Sequence, residues 1–286
     1  GDARDHSAPC CLALGIRCWL SSGVGATMSD QPVAIVTGGA SGIGLGIATA
    51  LMGKDYDVFV LDNDLHHVDD YNASHPLSRA RLCDVSDASA VAAEVDGVLH
   101  VAGRIDLLVN NAGISGPTAP IEAVDPSEWK KTLDVGLTGA FNATRSVAPI
   151  MKAQSSGAII NVASNAGLMG CPNRSPYVAT KWGLIGLTKT WAMELGPFKV
   201  RVNALCPASV DGPRIEAVMT RDAAERGVSI DAIRQSYERQ SSLQSFTRVE
   251  DIASMVCYLA SDAGARISGQ AIGLDGHTET LGTSLG

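Results

Sequence analysis

The sequence predicts an α/β fold: one parallel β-sheet with helices covering both faces. Three observations predict it. Short apolar runs recur without polar alternation, as in strands buried on both faces. Stretches with helical spacing separate these runs, the pattern of βαβ units joined by right-handed crossovers. The first run leads straight into a glycine turn and a helix start, in Pro32-Val-Ala-Ile-Val-Thr-Gly-Gly-Ala-Ser-Gly-Ile-Gly-Leu-Gly46.

Residues 33–36 read as the first strand and 43–52 as the first helix, with Gly38, Gly42 and Gly44 between them. Such a turn is an anion site. Missing side chains let a pyrophosphate approach the backbone, and the helix's unpaired N–H groups and dipole favour its charge. The second strand is 57–61 and ends on Asp62; the third is 79–83 and ends on Asp84-Val85. Residues 86–102 have helical spacing, with Val91, Val95, Val98 and Leu99 on one face. The fourth strand, 105–109, ends in Asn110-Asn-Ala-Gly113. Residues 126–151 read as one long helix, with Asp125 as cap and Pro126 in the first turn. A fifth strand covers 158–162, a second long helix 175–195 and a sixth strand 200–205. Residues 213–244 are polar and helical in places; 250–259 form a helix and 271–274 the last strand. No repeat at solenoid periods and no low-complexity linker appears, so 31–286 is expected to be one domain with 211–245 as a helical substrate flap.

Residues 1–30 do not fit this pattern. They read as an N-terminal extension, expected to be disordered, with Met28 as a natural start. Asp2 and Asp5 are unsuited to the start of a signal peptide. A formal net charge of −8 argues against a nucleic-acid partner, and no apolar run is long enough for a membrane span. The seven cysteines include no Cys-x-x-Cys pair, so neither a zinc site nor a disulfide framework is expected; reduced cysteines fit a cytoplasmic protein. No metal site is expected.

Taken together, Thr37-Gly-Gly-Ala-Ser-Gly-Ile-Gly44, Asn110-Asn-Ala-Gly113, Ser164 and Tyr177-Val-Ala-Thr-Lys181 resemble the short-chain dehydrogenase/reductase family. The resemblance covers nearly everything after Gln31. It implies a doubly wound, seven-stranded Rossmann sheet, a nicotinamide cofactor and carbonyl–alcohol chemistry. Many members are tetramers that pair through the two long helices and the last strand, so a homotetramer is expected. The resemblance assigns pyrophosphate binding to Gly38, Ser41, Gly42, Ile43 and Gly44, and adenine contact to Asp84 and Val85. It places Asn110, Ala112 and Gly113 along the cofactor, and Pro207 and Val210 beside the nicotinamide.

Asp62 lies 24 residues beyond Gly38. A carboxylate there accepts bonds from the adenosine ribose hydroxyls and repels a 2′-phosphate, which favours NAD over NADP; alternatively, Asp62 caps the following turn. Tyr177 and Lys181 are four apart on a helix and share a face. A lysine ammonium favours the phenolate, so that Tyr177 takes the alcohol proton as hydride leaves, and in reverse protonates the alkoxide. Lys181 also reaches the nicotinamide ribose. Ser164, 13 residues before Tyr177, holds the substrate oxygen.

Two positions depart from the family. Gly136 stands where an asparagine usually helps to position a proton-relay water, and a water is expected to fill the gap. Ala208 follows Pro207 where the family has glycine, so that loop is expected to sit differently. The substrate is least defined. Arg174 and Arg214 either anchor an acidic group or pair at the surface. The few apolar flap positions, Ile215, Val218 and Met219, lean towards a small polar alcohol. The expected activity is hydride transfer between NAD and a secondary alcohol or ketone. Alternatives are an NADP-dependent 3-oxoacyl-thioester reductase and a dinucleotide-binding regulator with little catalysis.

Overall fold

A computed structural model describes residues 31–75, 77 and 79–279. The expected N-terminal extension, 1–30, lies outside the described residues, as do 280–286. Seven parallel strands form one sheet in the order β3-β2-β1-β4-β5-β6-β7. They are β1 (Val33–Thr37), β2 (Asp57–Asp62), β3 (Ala80–Leu82), β4 (Leu107–Asn110), β5 (Gly157–Val162), β6 (Val200–Pro207) and β7 (Ala271–Leu274). The strand order reverses between β1 and β4, whose carboxyl ends therefore bound the crevice where such sheets bind ligands.

Successive residues of β1 point to opposite faces and into separate cores. Ala34 and Val36 meet helices α1 (Gly42–Met52) and α9 (Val249–Ala260) through Ile47, Leu51, Ile252 and Val256. Val33 and Ile35 meet α3 (Ala88–Ala102) and α5 (Gly139–Gln154) through Val91, Val95, Val147 and Met151. The remaining helices are α2 (Leu65–Ser74), α4 (Pro126–Leu133), α6 (Ser175–Leu195), α7 (Pro213–Arg226) and α8 (Ile230–Glu238).

Three differences from the sequence reading have physical causes. Helix α2 has little apolar periodicity, but Asp64 caps it by accepting from the backbone N–H groups of His66 and His67. Strand β4 starts at Leu107 rather than 105, because the Gln154 side chain ties up both the N–H and the carbonyl of Ile105 (3.0 and 2.8 Å). The expected helix over 126–151 is broken into α4 and α5 by a π-helical turn, Asp134–Thr138, that contains buried Gly136. The flap is α7 and α8, joined by a small cluster of Met219, Ala223 and Ile233 with Ile215, Tyr237 and Phe246 around it.

Candidate active site

The site is built from the carboxyl ends of β1, β4, β5 and β6 and the first turns of α1 and α6. Two glycines of the turn, Gly38 and Gly42, take φ of +59° and +51°, conformations that side chains rarely adopt. At Gly44 the need is space. A Cβ there would overlap the Gly38 carbonyl oxygen and crowd Asn111 Nδ2 at 2.7 Å. Ser41 is the N-cap of α1 but makes no side-chain cap bond. Its hydroxyl and the first-turn N–H groups, including those of Gly42, Ile43 and Gly44, are available to an anion.

Two side chains hold this turn. Asn111 donates through Nδ2 to the carbonyls of Thr37 (3.1 Å) and Gly38 (2.8 Å). Thr37 Oγ1 accepts from the N–H groups of Asn111 and Ala112, both at 3.1 Å. From the other side, Asp62, 7% exposed, accepts from Ala40 N–H at 3.0 Å and Asp64 N–H at 3.2 Å. Asp62 thus holds the following turn through the Asp64 N–H, while Asp64 is the N-cap of α2. Each carboxylate oxygen keeps acceptor capacity for a ribose hydroxyl.

Asn110 faces inward. Its Nδ2 donates to Thr144 (3.0 Å) and Asn161 (2.8 Å), and Asn161 donates on to Thr188 (2.8 Å). Its Oδ1 is buried with no hydrogen-bond partner among the described residues. Asp84 is exposed and accepts from the Ser86 N–H and hydroxyl, forming the turn before α3. Val85 is buried against Gly139, and its carbonyl accepts from Asn142. Ala112 packs beside the turn, and a Cβ on Gly113 would lie 3.8 Å from Lys181 Nζ.

Ser164 follows the end of β5, where the Val162 carbonyl receives Lys181, and Lys181 in turn faces Tyr177. Ser164 is 8% exposed, with Oγ bonded to Asn165 Oδ1 and to the Ala166 N–H. Lys181, 6% exposed, donates to the Val162 carbonyl at 2.8 Å. Its Nζ lies 5.5 Å from the centre of the Tyr177 ring. Cys206 lies behind them, its thiol pushed up to about 11 by burial.

Pro207 ends β6. Ala208 takes no positive φ and donates its N–H to the Leu274 carbonyl, while Val210 pairs with Thr247. The loop is thus held firmly with alanine in place. The expectation of water beside Gly136 is corrected. A Cβ on Gly136 would lie 2.5 Å from Thr180 Cγ2, so the Thr180 methyl already occupies the space. Arg174 stacks over Tyr177, whereas the side chain of Arg214 lies outside the described set.

Sequence reasoning missed Thr37, Asn111 and Thr180. The doubled asparagine at 110–111 was the available signal, since only one of the two can turn inward.

The short chain dehydrogenase family model matches residues 32–224. The 3-oxoacyl-[acyl-carrier-protein] reductase of Thermotoga maritima is 34% identical over 256 residues, covering 86% of this chain and 97% of the relative. The D-beta-hydroxybutyrate dehydrogenase of Rhizobium meliloti is also 34% identical over 256 residues, covering 85% and 96%. Among solved structures, an NAD+-bound xylitol dehydrogenase aligns with a TM-score of 0.80 and 29% identity, covering 85% of this chain and 97% of that one.

Proposed function

The chain belongs to the short chain dehydrogenase family and is an oxidoreductase of CH–OH groups, and we propose that it works with NAD on a secondary alcohol or ketone through Ser164, Tyr177 and Lys181. The observation that carries this reading is that Lys181 is held to the Val162 carbonyl at the end of β5 and faces Tyr177, with Ser164 two residues beyond Val162 and a glycine turn braced by Asp62.

The residues fit a dinucleotide. Gly42 faces open space, a Cβ at Gly44 would close the turn, and Asp62 has acceptors to spare. The Asp62 carboxylate suits ribose hydroxyls and repels a 2′-phosphate, which favours NAD. When bound, the nicotinamide supplies the hydride acceptor or donor. Tyr177 then holds or takes the alcohol proton at its phenolic oxygen. Lys181 stabilises the phenolate and is fixed by the Val162 carbonyl. Ser164, already poised as a donor and acceptor, orients the substrate oxygen. Asn111 and Thr37 keep the turn in register with the end of β4.

A second reading, NADP-dependent reduction of a 3-oxoacyl thioester, draws on the Thermotoga maritima relative; Asp62 weighs against it. A regulator without catalysis has less support, because Ser164, Tyr177 and Lys181 are all present. We read 31–286 as one domain with 211–245 as its flap, acting in the cytoplasm. Among the described residues no helix is long and apolar enough to cross a membrane. Phe141 on α5 and Trp182 and Met193 on α6 are exposed, Met193 by 81%, which supports pairing of copies through these helices as a homotetramer.

Tyr177→Phe tests the role of the phenol. Turnover of small secondary alcohols with NAD is expected to fall by roughly 10²–10⁴, while NADH binding stays within about twofold. Retained turnover would remove Tyr177 from the chemistry.

A further inference from the structure

Arg174 sits at the N-terminal end of α6, three residues before Tyr177. Its guanidinium carbon is 4.9 Å from the centre of the Tyr177 ring. One nitrogen, Nη2, donates to the Ser115 carbonyl at 3.0 Å, on the loop that follows β4. That loop is fastened to the Arg174 loop a second time, by the Ala119 N–H donating to the Asn173 carbonyl at 3.0 Å. The guanidinium is thus placed by two segments, beside the phenol that meets the substrate.

It is also unspent. Among the described residues no carboxylate lies within ion-pairing distance of Arg174, and its Nε–H is shielded from water with no hydrogen-bond acceptor. Its titratable neighbours are Tyr177 and Lys181 on α6, Cys171 on its own loop and Tyr237 on α8 of the flap. Burial raises both the Cys171 thiol and the Tyr237 phenol, so neither supplies a negative charge at neutral pH. Asp222, whose charge acts on the Tyr237 phenol, is paired with Arg226 at 2.6 Å. A buried guanidinium donor with no acceptor is costly, and a carboxylate matches its planar fork.

We propose that Arg174 is the anion anchor of the substrate site, and that the substrate is a secondary alcohol or ketone carrying a carboxylate. The inference rests on the oxidoreductase reading above and narrows its substrate. One guanidinium, with Nη2 held by Ser115 and Nε without an acceptor among the described residues, suits a single carboxylate, which its planar fork matches better than it does a phosphate dianion. The flap agrees. Its apolar residues Met219 and Ile233 are buried in the flap's own cluster and are not free to line an acyl-chain site.

The test uses unreactive probes on the full chain loaded with NADH. Butyrate and cyclohexanecarboxylate are titrated calorimetrically beside butyramide and cyclohexanecarboxamide. Each carboxylate is expected to bind at least ~10-fold tighter than its amide. Arg174→Gln should abolish that preference, and Arg174→Lys should keep part of it, while NADH affinity stays unchanged in both. Amides binding as well as carboxylates, or a preference that survives Arg174→Gln, overturns the anchor. Loss of NADH binding by the unsubstituted chain would instead overturn the dinucleotide reading, so the two failures are distinguishable.

Discussion

The glycine turn and the flap are held in place by different means. Around the turn, Thr37, Asn111 and Asp62 bind backbone groups from three segments, and the close approach of Gly44 to Gly38 leaves no room for a side chain. Thr37 and Asp62 end β1 and β2 and Asn111 directly follows β4, central strands whose residues are all buried. The flap stands on a cluster of three buried residues, Met219, Ala223 and Ile233. It joins the rest of the fold where Val210 pairs with Thr247 and Ser241 with Thr278, and within it Arg234 pairs with Asp211 at 3.0 Å. Arg234 and Asp211 are partly exposed, so that pair contributes little. On the reading proposed above, a cofactor common to many reactions meets a rigid, over-determined cradle. On the same reading, the substrate meets a segment with few internal constraints, the low-stability end from which mobile elements are drawn.

Three substitutions break or sharpen this contrast, ranked by their effect on dinucleotide binding. Gly44→Ala is the most severe. Overpacking costs about 1–3 kcal/mol even where neighbours can shift, and here the neighbour is backbone. NADH affinity is expected to fall about 10–100-fold, read by fluorescence titration; unchanged affinity would mean that the turn is not a tight cradle. Gly136→Asn comes next. Its Cβ meets the Thr180 methyl, so the variant should lose about 1–3 kcal/mol of stability and melt several degrees lower, with a smaller loss of NADH affinity. Adding Thr180→Ala should recover most of the melting temperature; no recovery would mean that the two residues do not compete for one space. Ile233→Ala should have the least effect on NADH, within about twofold. It opens a cavity in the flap core, and limited proteolysis within 211–245 should accelerate. A fall in NADH affinity matching that of Gly44→Ala would erase the contrast.

What the sequence revealed follows the same division. The turn, Asp62, Ser164, Tyr177 and Lys181 were legible because their meaning is local: a strand end, a spacing of four on a helix, a glycine where backbone must come close. Helix α6 was legible to its boundaries, since its spacing runs unbroken from Ser175 to Leu195. The π-turn at Asp134–Thr138 was not, because it accompanies packing of Gly136 on Thr180, a contact remote in sequence. Nor could spacing tell which of Asn110 and Asn111 turns towards the core and which braces the glycine turn. That choice depends on Thr144 and Asn161 on neighbouring elements. Arg174 illustrates the same limit: alone it reads as a surface cation, and only the fold sets it over Tyr177 without a carboxylate partner among the described residues.

The most direct measurement is a paired fluorescence titration of the full chain with NADH and with NADPH. It needs no knowledge of the substrate and reads Asp62 and the glycine turn together. The account predicts that NADH binds at least ~10-fold tighter than NADPH, the equivalent of about 1.4 kcal/mol. NADPH binding as tightly as NADH, or more tightly, would contradict the role given to Asp62 and move the 3-oxoacyl-thioester reductase reading to the front.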